Sequence, residues 1–175
     1  MACSLTTGRN IPCKSAVGGI KNIFFTDYGT IGTPTIVAGE ITGISGTPNF
    51  FRFKVKGASS LETAINSSRE NGTTFYESTL TMALTFQDKA TQEELKLIAH
   101  ARPHVAVEDY NGNFFLVGLE HGAEVTGGTI STGAAMGDLS GYNLTIVAQE
   151  TAPPYFITSS IITDDTSGVQ IDPTA

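Results

Sequence analysis

Residues 60–87 constrain the fold more than any other stretch, because two runs of apolar–polar alternation meet there at an Asn-Gly turn signal. Leu61, Thr63 and Ile65 alternate with Glu62, Ala64 and Asn66. After Arg69-Glu70-Asn71-Gly72, Tyr76, Ser78, Leu80, Met82, Leu84 and Phe86 share one face, while Phe75, Glu77, Thr79, Thr81, Ala83 and Thr85 share the other. A period of two belongs to a strand with one buried face, and Asn-Gly between two such runs predicts a hairpin. The second strand holds some 14 residues, about 46 Å at roughly 3.3 Å per residue, well beyond the usual strand length. So long a hairpin, apolar on one side and small and polar on the other, is expected to leave its own domain and complete a sheet with neighbours. A bent strand inside one sandwich is the alternative.

The rest of the chain is punctuated in the same way, with short strand-like runs separated by Gly, Pro and Asn. Strands are expected over Ile20–Asp27, Thr35–Ile44 and Phe50–Lys56, the last with Phe51, Phe53 and Val55 inward and Arg52, Lys54 and Lys56 outward. Further strands are expected over His104–Tyr110, Phe114–Glu120, Glu124–Ser131 and Leu139–Gln149, with Pro153–Ile157 leading into a polar tail. One helix is written between them. Thr91-Gln92-Glu93-Glu94 reads as a capping box, Leu95, Ile98 and Ala99 share a face, and Pro103 stops the helix. The expected organisation is an N-terminal arm (1–19), a single β-rich domain (20–158) and a C-terminal tail (159–175). Its fold class is all-β with one helix, a β-sandwich or partial barrel carrying a long hairpin arm. With 24 Thr, 19 Gly and only 15% charged residues, the composition favours sheet and turn over long surface helices.

Charge narrows the function classes. The net charge of −7 argues against a protein that grips nucleic acid, which needs a concentrated cationic surface. All ten Lys and Arg lie at or before Arg102, and the residues beyond it hold nine Asp or Glu and no cation, so the two parts of the chain are electrostatically unlike. No apolar stretch is long enough to span a bilayer, and the start lacks a basic region followed by an apolar core, so the chain is expected in the cytosol when made, with no membrane partner.

Motifs for chemistry are sparse. His100, His104 and His121 are too scattered for a metal cluster, and Cys3 and Cys13 form neither a zinc site nor a disulfide framework. Nucleophile-elbow and phosphate-loop patterns are absent, and Gly127-Gly128 and Gly133 read as turn glycines. Asp164-Asp165 lacks the periodic oxygen ligands of a calcium loop and reads as part of a solvated tail. No catalytic residue, metal or cofactor is expected, and the chain is not expected to be an enzyme.

The opening Gly8-Arg9-Asn10-Ile11-Pro12-Cys13-Lys14, followed by Val17-Gly18-Gly19-Ile20-Lys21, resembles the start of virion structural proteins of tailed bacteriophages. The element order resembles the tail-tube (major tail) protein family: strands, a long hairpin, one helix, then strands that include Tyr142-Asn143-Leu144-Thr145-Ile146. The resemblance implies two packed sheets with a flanking helix, six copies per ring, and rings stacked head to tail around a DNA channel in the virion. Partners would be further copies of the chain and other tail or neck proteins, with DNA passing through and not being bound. At −7 per copy, six copies carry a formal −42, suited to a channel that passes DNA without holding it.

On that reading Glu62, Ala64, Asn66, Glu77, Thr79 and Thr81 face the lumen. The charge split suggests stacking contacts between a basic set, Lys14, Lys21, Arg52, Lys54 and Lys56, and an acidic set, Glu108, Asp109, Glu120, Glu124 and Asp138. Two other classes stay open: another virion part, such as a tail-completion or capsid-decoration protein, and a β-rich ligand-binding domain.

Overall fold

The computed structural model describes residues 7–11, 13–55, 58–163 and 170–171; Cys3, Lys56, Asp164-Asp165 and most of the tail lie outside the described residues. In chain order the first six strands are β1 (Ile20–Thr26), β2 (Pro34–Val37), β3 (Glu40–Ile44), β4 (Asn49–Lys54), β5 (Ser60–Ser68) and β6 (Thr73–Thr85). Helix α1 (Lys89–His100) follows, then β7 (His104–Asp109), β8 (Phe114–Val117), β9 (Glu124–Ser131), β10 (Gly141–Glu150), β11 (Tyr155–Ile157), α2 (Ser159–Thr163) and β12 (Gln170–Ile171). They form an eight-stranded sheet in the order β12-β4-β1-β7-β8-β11-β3-β2 and a four-stranded sheet in the order β5-β6-β10-β9. The fold is all-β, and neither sheet closes on itself.

The centre of the larger sheet is buried on both faces, so β1 is buried at every residue but Lys21 rather than alternating, with Asn22 and Thr26 among its buried residues. Ile23 and Phe25, with Val105 and Val107 beside them, face the smaller sheet and meet Leu80, Met82, Tyr142 and Ile146. Leu95 and Ile98 bring α1 onto this core, as the helical spacing predicts. Phe24, Ala106 and Leu116 point the other way into a second core closed by Ile31, Ile41, Phe50, Ile161 and Ile162. Each such Val, Leu, Ile, Phe or Met side chain, fully buried, contributes about 1.5–3 kcal/mol.

Four local expectations are corrected. The run expected as one strand over Thr35–Ile44 is a tight hairpin, β2 and β3, turned at Ala38 (φ 52°) and Gly39 (φ 85°). Expected as a cap, Thr91 is instead the third residue of the helix: Asp88 is the N-cap, accepting from the Thr91 amide at 3.0 Å and the Thr91 hydroxyl at 2.7 Å. An aspartate three residues earlier takes the cap and satisfies the Thr91 amide, so the helix starts sooner. Phe86, assigned to the buried face of β6, is 77% exposed because its backbone turns to φ 71°. Around β4, Phe53 and Val55 pack on the first core and Lys54 is exposed, as expected, but Phe51 is exposed, and Arg52 is half-buried because its face also carries Phe50, which is fully buried in the second core.

Past Thr158, where a tail was expected, α2 packs Ile161 and Ile162 into the second core, and β12 adds a parallel strand beside β4.

Candidate assembly surface

The smaller sheet carries the chain's most distinctive surface. Cross-strand pairs Ser60↔Thr81, Glu62↔Thr79, Ala64↔Glu77 and Asn66↔Phe75 alternate with Leu61↔Leu80, Thr63↔Ser78 and Ile65↔Tyr76. Side chains two apart share a face, so this register brings Glu62, Ala64, Asn66, Glu77, Thr79 and Thr81 together on the face away from the core. Glu62 and Ala64 are exposed and the other four half-buried. The face continues across β10 through Thr145, Val147 and Gln149, and Gln149 Nε2 donates to Glu77 Oε2 at 2.7 Å. None of the four strands holds a Lys or Arg, while Glu62, Glu77, Glu124 and Glu150 lie on them.

The hairpin is only partly an arm. From Ser78 to Leu84 β6 lies within the sandwich, and the part that leaves it is the tip, where Ile65 is 67% and Phe75 39% exposed.

Both outer strands of this sheet are open. β5 and β9 are its edges, nine and eight residues long, and three successive antiparallel pairings leave them running in opposite directions. Neither edge holds a Lys or Pro, the residues that commonly guard an edge, although β9 has a bulge at Thr126, touches α1, and ends where Gln87 Nε2 donates to the Ser131 carbonyl at 2.6 Å. The strands are also staggered. Ser60, where β5 begins, is level with Thr81, whereas Ser131, where β9 ends, is level with Thr85; at the other end Ser68 is level with Thr73 and Glu124 with Thr79. β9 therefore sits four to six residues further along the strand axis than β5.

The two expected charge sets do not separate onto opposite sides as whole sets. Lys21 and Glu108 meet each other within one molecule, Nζ to Oε1 at 2.8 Å, and the buried Glu108 also accepts from the Asn22 amide. Asp109 closes the β7–β8 turn by accepting from the amides and side chains of Asn111 and Asn113; burial pushes its carboxyl up, but these bonds outweigh it and hold it below the usual range. Asp138 is held low in the same sense by the Ala135 and Ala134 amides, which it caps in the β9–β10 loop. Glu120 accepts from Thr151, and Arg52 Nε is buried with no hydrogen-bond partner among the described residues. Lys14, Lys54 and Glu124 remain exposed and have no ion pair among the described residues, and Lys56 lies outside them.

Sequence reasoning missed a second feature, at the foot of β9. A cleft of about 540 Å³ opens there, lined by Phe75, Arg102, His121, Glu124, Gln149 and Glu150. Arg102 lies over the Tyr28 ring at 5.2 Å, and Glu150 is fixed by accepting from the Glu120 and His121 amides. No motif announces it, because the cleft draws on residues from β6, the α1–β7 and β8–β9 connections, β9 and β10. Among the described residues no group of His, Cys, Asp and Glu could hold a metal ion, and no helix is long and apolar enough to cross a membrane.

No family model and no curated protein matches the chain. Among solved structures it is similar to a chain of the virion of a native gene transfer agent particle, with 12% identity, a TM-score of 0.40, and coverage of 61% of this chain and 89% of that one. That overlap is too partial to define a shared fold.

Proposed function

We propose that the chain is a structural subunit of a virion tail tube, in which copies join their four-stranded sheets edge to edge around a common channel. The observation that carries this reading is the smaller sheet: a polar, cation-free face backed by a packed core, with two open edges of opposite direction. Copies related by rotation would pair β9 of one with β5 of the next, antiparallel like every other pairing in that sheet.

The stagger supports closure. Four strands at roughly 4.8 Å spacing are about 19 Å wide, and an offset of about four to six residues at ~3.3 Å is about 13–20 Å, a tilt of about 35–46°. Closed barrels tilt their strands by about 35–45°. With the six copies that the tail-tube resemblance implies, the barrel would hold 24 strands and measure about 45–50 Å between facing backbones, wide enough for a DNA duplex. Glu62, Ala64, Asn66, Glu77, Thr79 and Thr81 then line the channel, and glutamates without neighbouring cations repel phosphate instead of binding it. Stacking of rings would draw on Lys14 and Lys54, which are exposed.

The test is the mass and shape of the purified protein. Sedimentation and negative-stain microscopy over a rising concentration series should give closed rings and then tubes. A compact monomer at every concentration would overturn the reading in favour of a decoration or ligand-binding role.

A further inference from the structure

We infer that the β5–β6 hairpin tip of one copy, Arg69-Glu70, seats in the cleft of Arg102, Glu124 and Glu150 on the neighbouring copy. This rests on the shared-sheet reading and adds to it a site that orients each joint. Aligning β5 of one copy along β9 of the next with their lengths matched needs the four-to-six-residue offset already present in the sheet. At an offset of six Ser68 falls beside Glu124, and at four Asn66 does; all three belong to the polar face, so either alignment keeps that face continuous.

In both alignments the tip projects past the start of β9, where the cleft opens. Charge fits as well as position. Among the described residues Arg69, Glu70, Arg102 and Glu124 make no ion pair within their own molecule. Arg69 finds carboxylates in the cleft at Glu124 and Glu150, and Glu70 finds the Arg102 guanidinium. The tip presents one charge of each sign and the cleft one guanidinium and two carboxylates, so each tip charge meets an opposite one, which favours this seating over a tip meeting a tip.

Charge reversal tests this in the full-length chain. Arg69→Glu and Glu124→Arg should each raise the concentration for half-assembly about tenfold or more, since like charges then meet at every joint. Combining the two should restore assembly, with far-UV circular dichroism and melting unchanged throughout. If wild-type protein forms rings and both single variants form them equally well, or if the combination fails to recover, the tip does not seat here and the tube reading stands. Wild-type protein that never leaves the monomer overturns both. A second readout uses Cys3→Ser and Cys13→Ser with Arg69→Cys and Glu124→Cys: a short bismaleimide should join copies into a ladder, and monomer alone under assembling conditions would overturn the seating.

Discussion

The Tyr28 ring lies stacked on the His104 imidazole, with centroids 5.1 Å apart and planes 25° from parallel. His104 is 2% exposed; its Nδ1 donates to the Gly118 carbonyl at 2.6 Å, and its Nε2 accepts from the Gly29 amide at 3.0 Å. Burial lowers the imidazole's pKa, outweighing the Gly118 carbonyl and the Glu150 charge, which raise it. A second proton would set an N–H against the Gly29 N–H. Because the folded value lies below the unfolded one of about 6.5, His104 stabilises the fold fully above that pH and loses this contribution as pH falls toward the lowered folded value. Thermal melting should therefore drop as pH falls below about 6.5. In His104→Asn the drop should shrink, and an equal drop would show that another group is responsible.

At the start of α1, Asp88→Ala should cost about 1 kcal/mol, the usual penalty for losing an N-cap. Thr91→Ala should cost less, because the Thr91 amide keeps its bond to Asp88. Urea denaturation of the two variants side by side checks the order, and a larger loss at Thr91 would return the cap to the threonine.

Gly141 has no room for a side chain, since a Cβ there would collide with the Leu84 carbonyl oxygen of β6. Gly141→Ala should destabilise the fold by about 3 kcal/mol through forced separation of β6 and β10. Gly127, one strand over, has open space at the Cβ position, and Gly127→Ala should stay within about 0.5 kcal/mol of wild type. Melting temperatures of the pair separate a steric effect from a general intolerance of the sheet.

Removing Lys21 leaves Glu108 buried with only the Asn22 amide to compensate it. Lys21 is itself half exposed, so Lys21→Met should cost about 1–2 kcal/mol, less than breaking a fully buried pair. Adding Glu108→Gln should return part of that loss, which a double-mutant cycle in urea would measure.

What could be read from the sequence was the alternation of β5 and β6. It set the register, and with it the face shared by Glu62 and Thr79, because a period of two leaves one assignment once Leu80 and Met82 are inside. Helix α1 was legible from Leu95 and Ile98 for the same kind of reason, while its first residue was not, since Asp88 and Thr91 are both good caps. The turn at Ala38-Gly39 left only Gly39 as a mark, outweighed because Ile36, Val37 and Ile41 read as one apolar run and alanine seldom takes a positive φ. Charge order misled where sheet order intervened: Lys21 and Glu108 are 87 residues apart in sequence yet on adjacent strands. The foot of β9 was hidden because its charges come from separate segments.

β10 lies between β6 and β9, although the ribosome delivers β9 first. Until residue 150 has emerged, β9 has no strand to lie against, and β6 presents a bare flank while the hairpin waits for its third member. On the shared-sheet reading, the β9 edge that would meet another copy is therefore set in place only after β10 has been made.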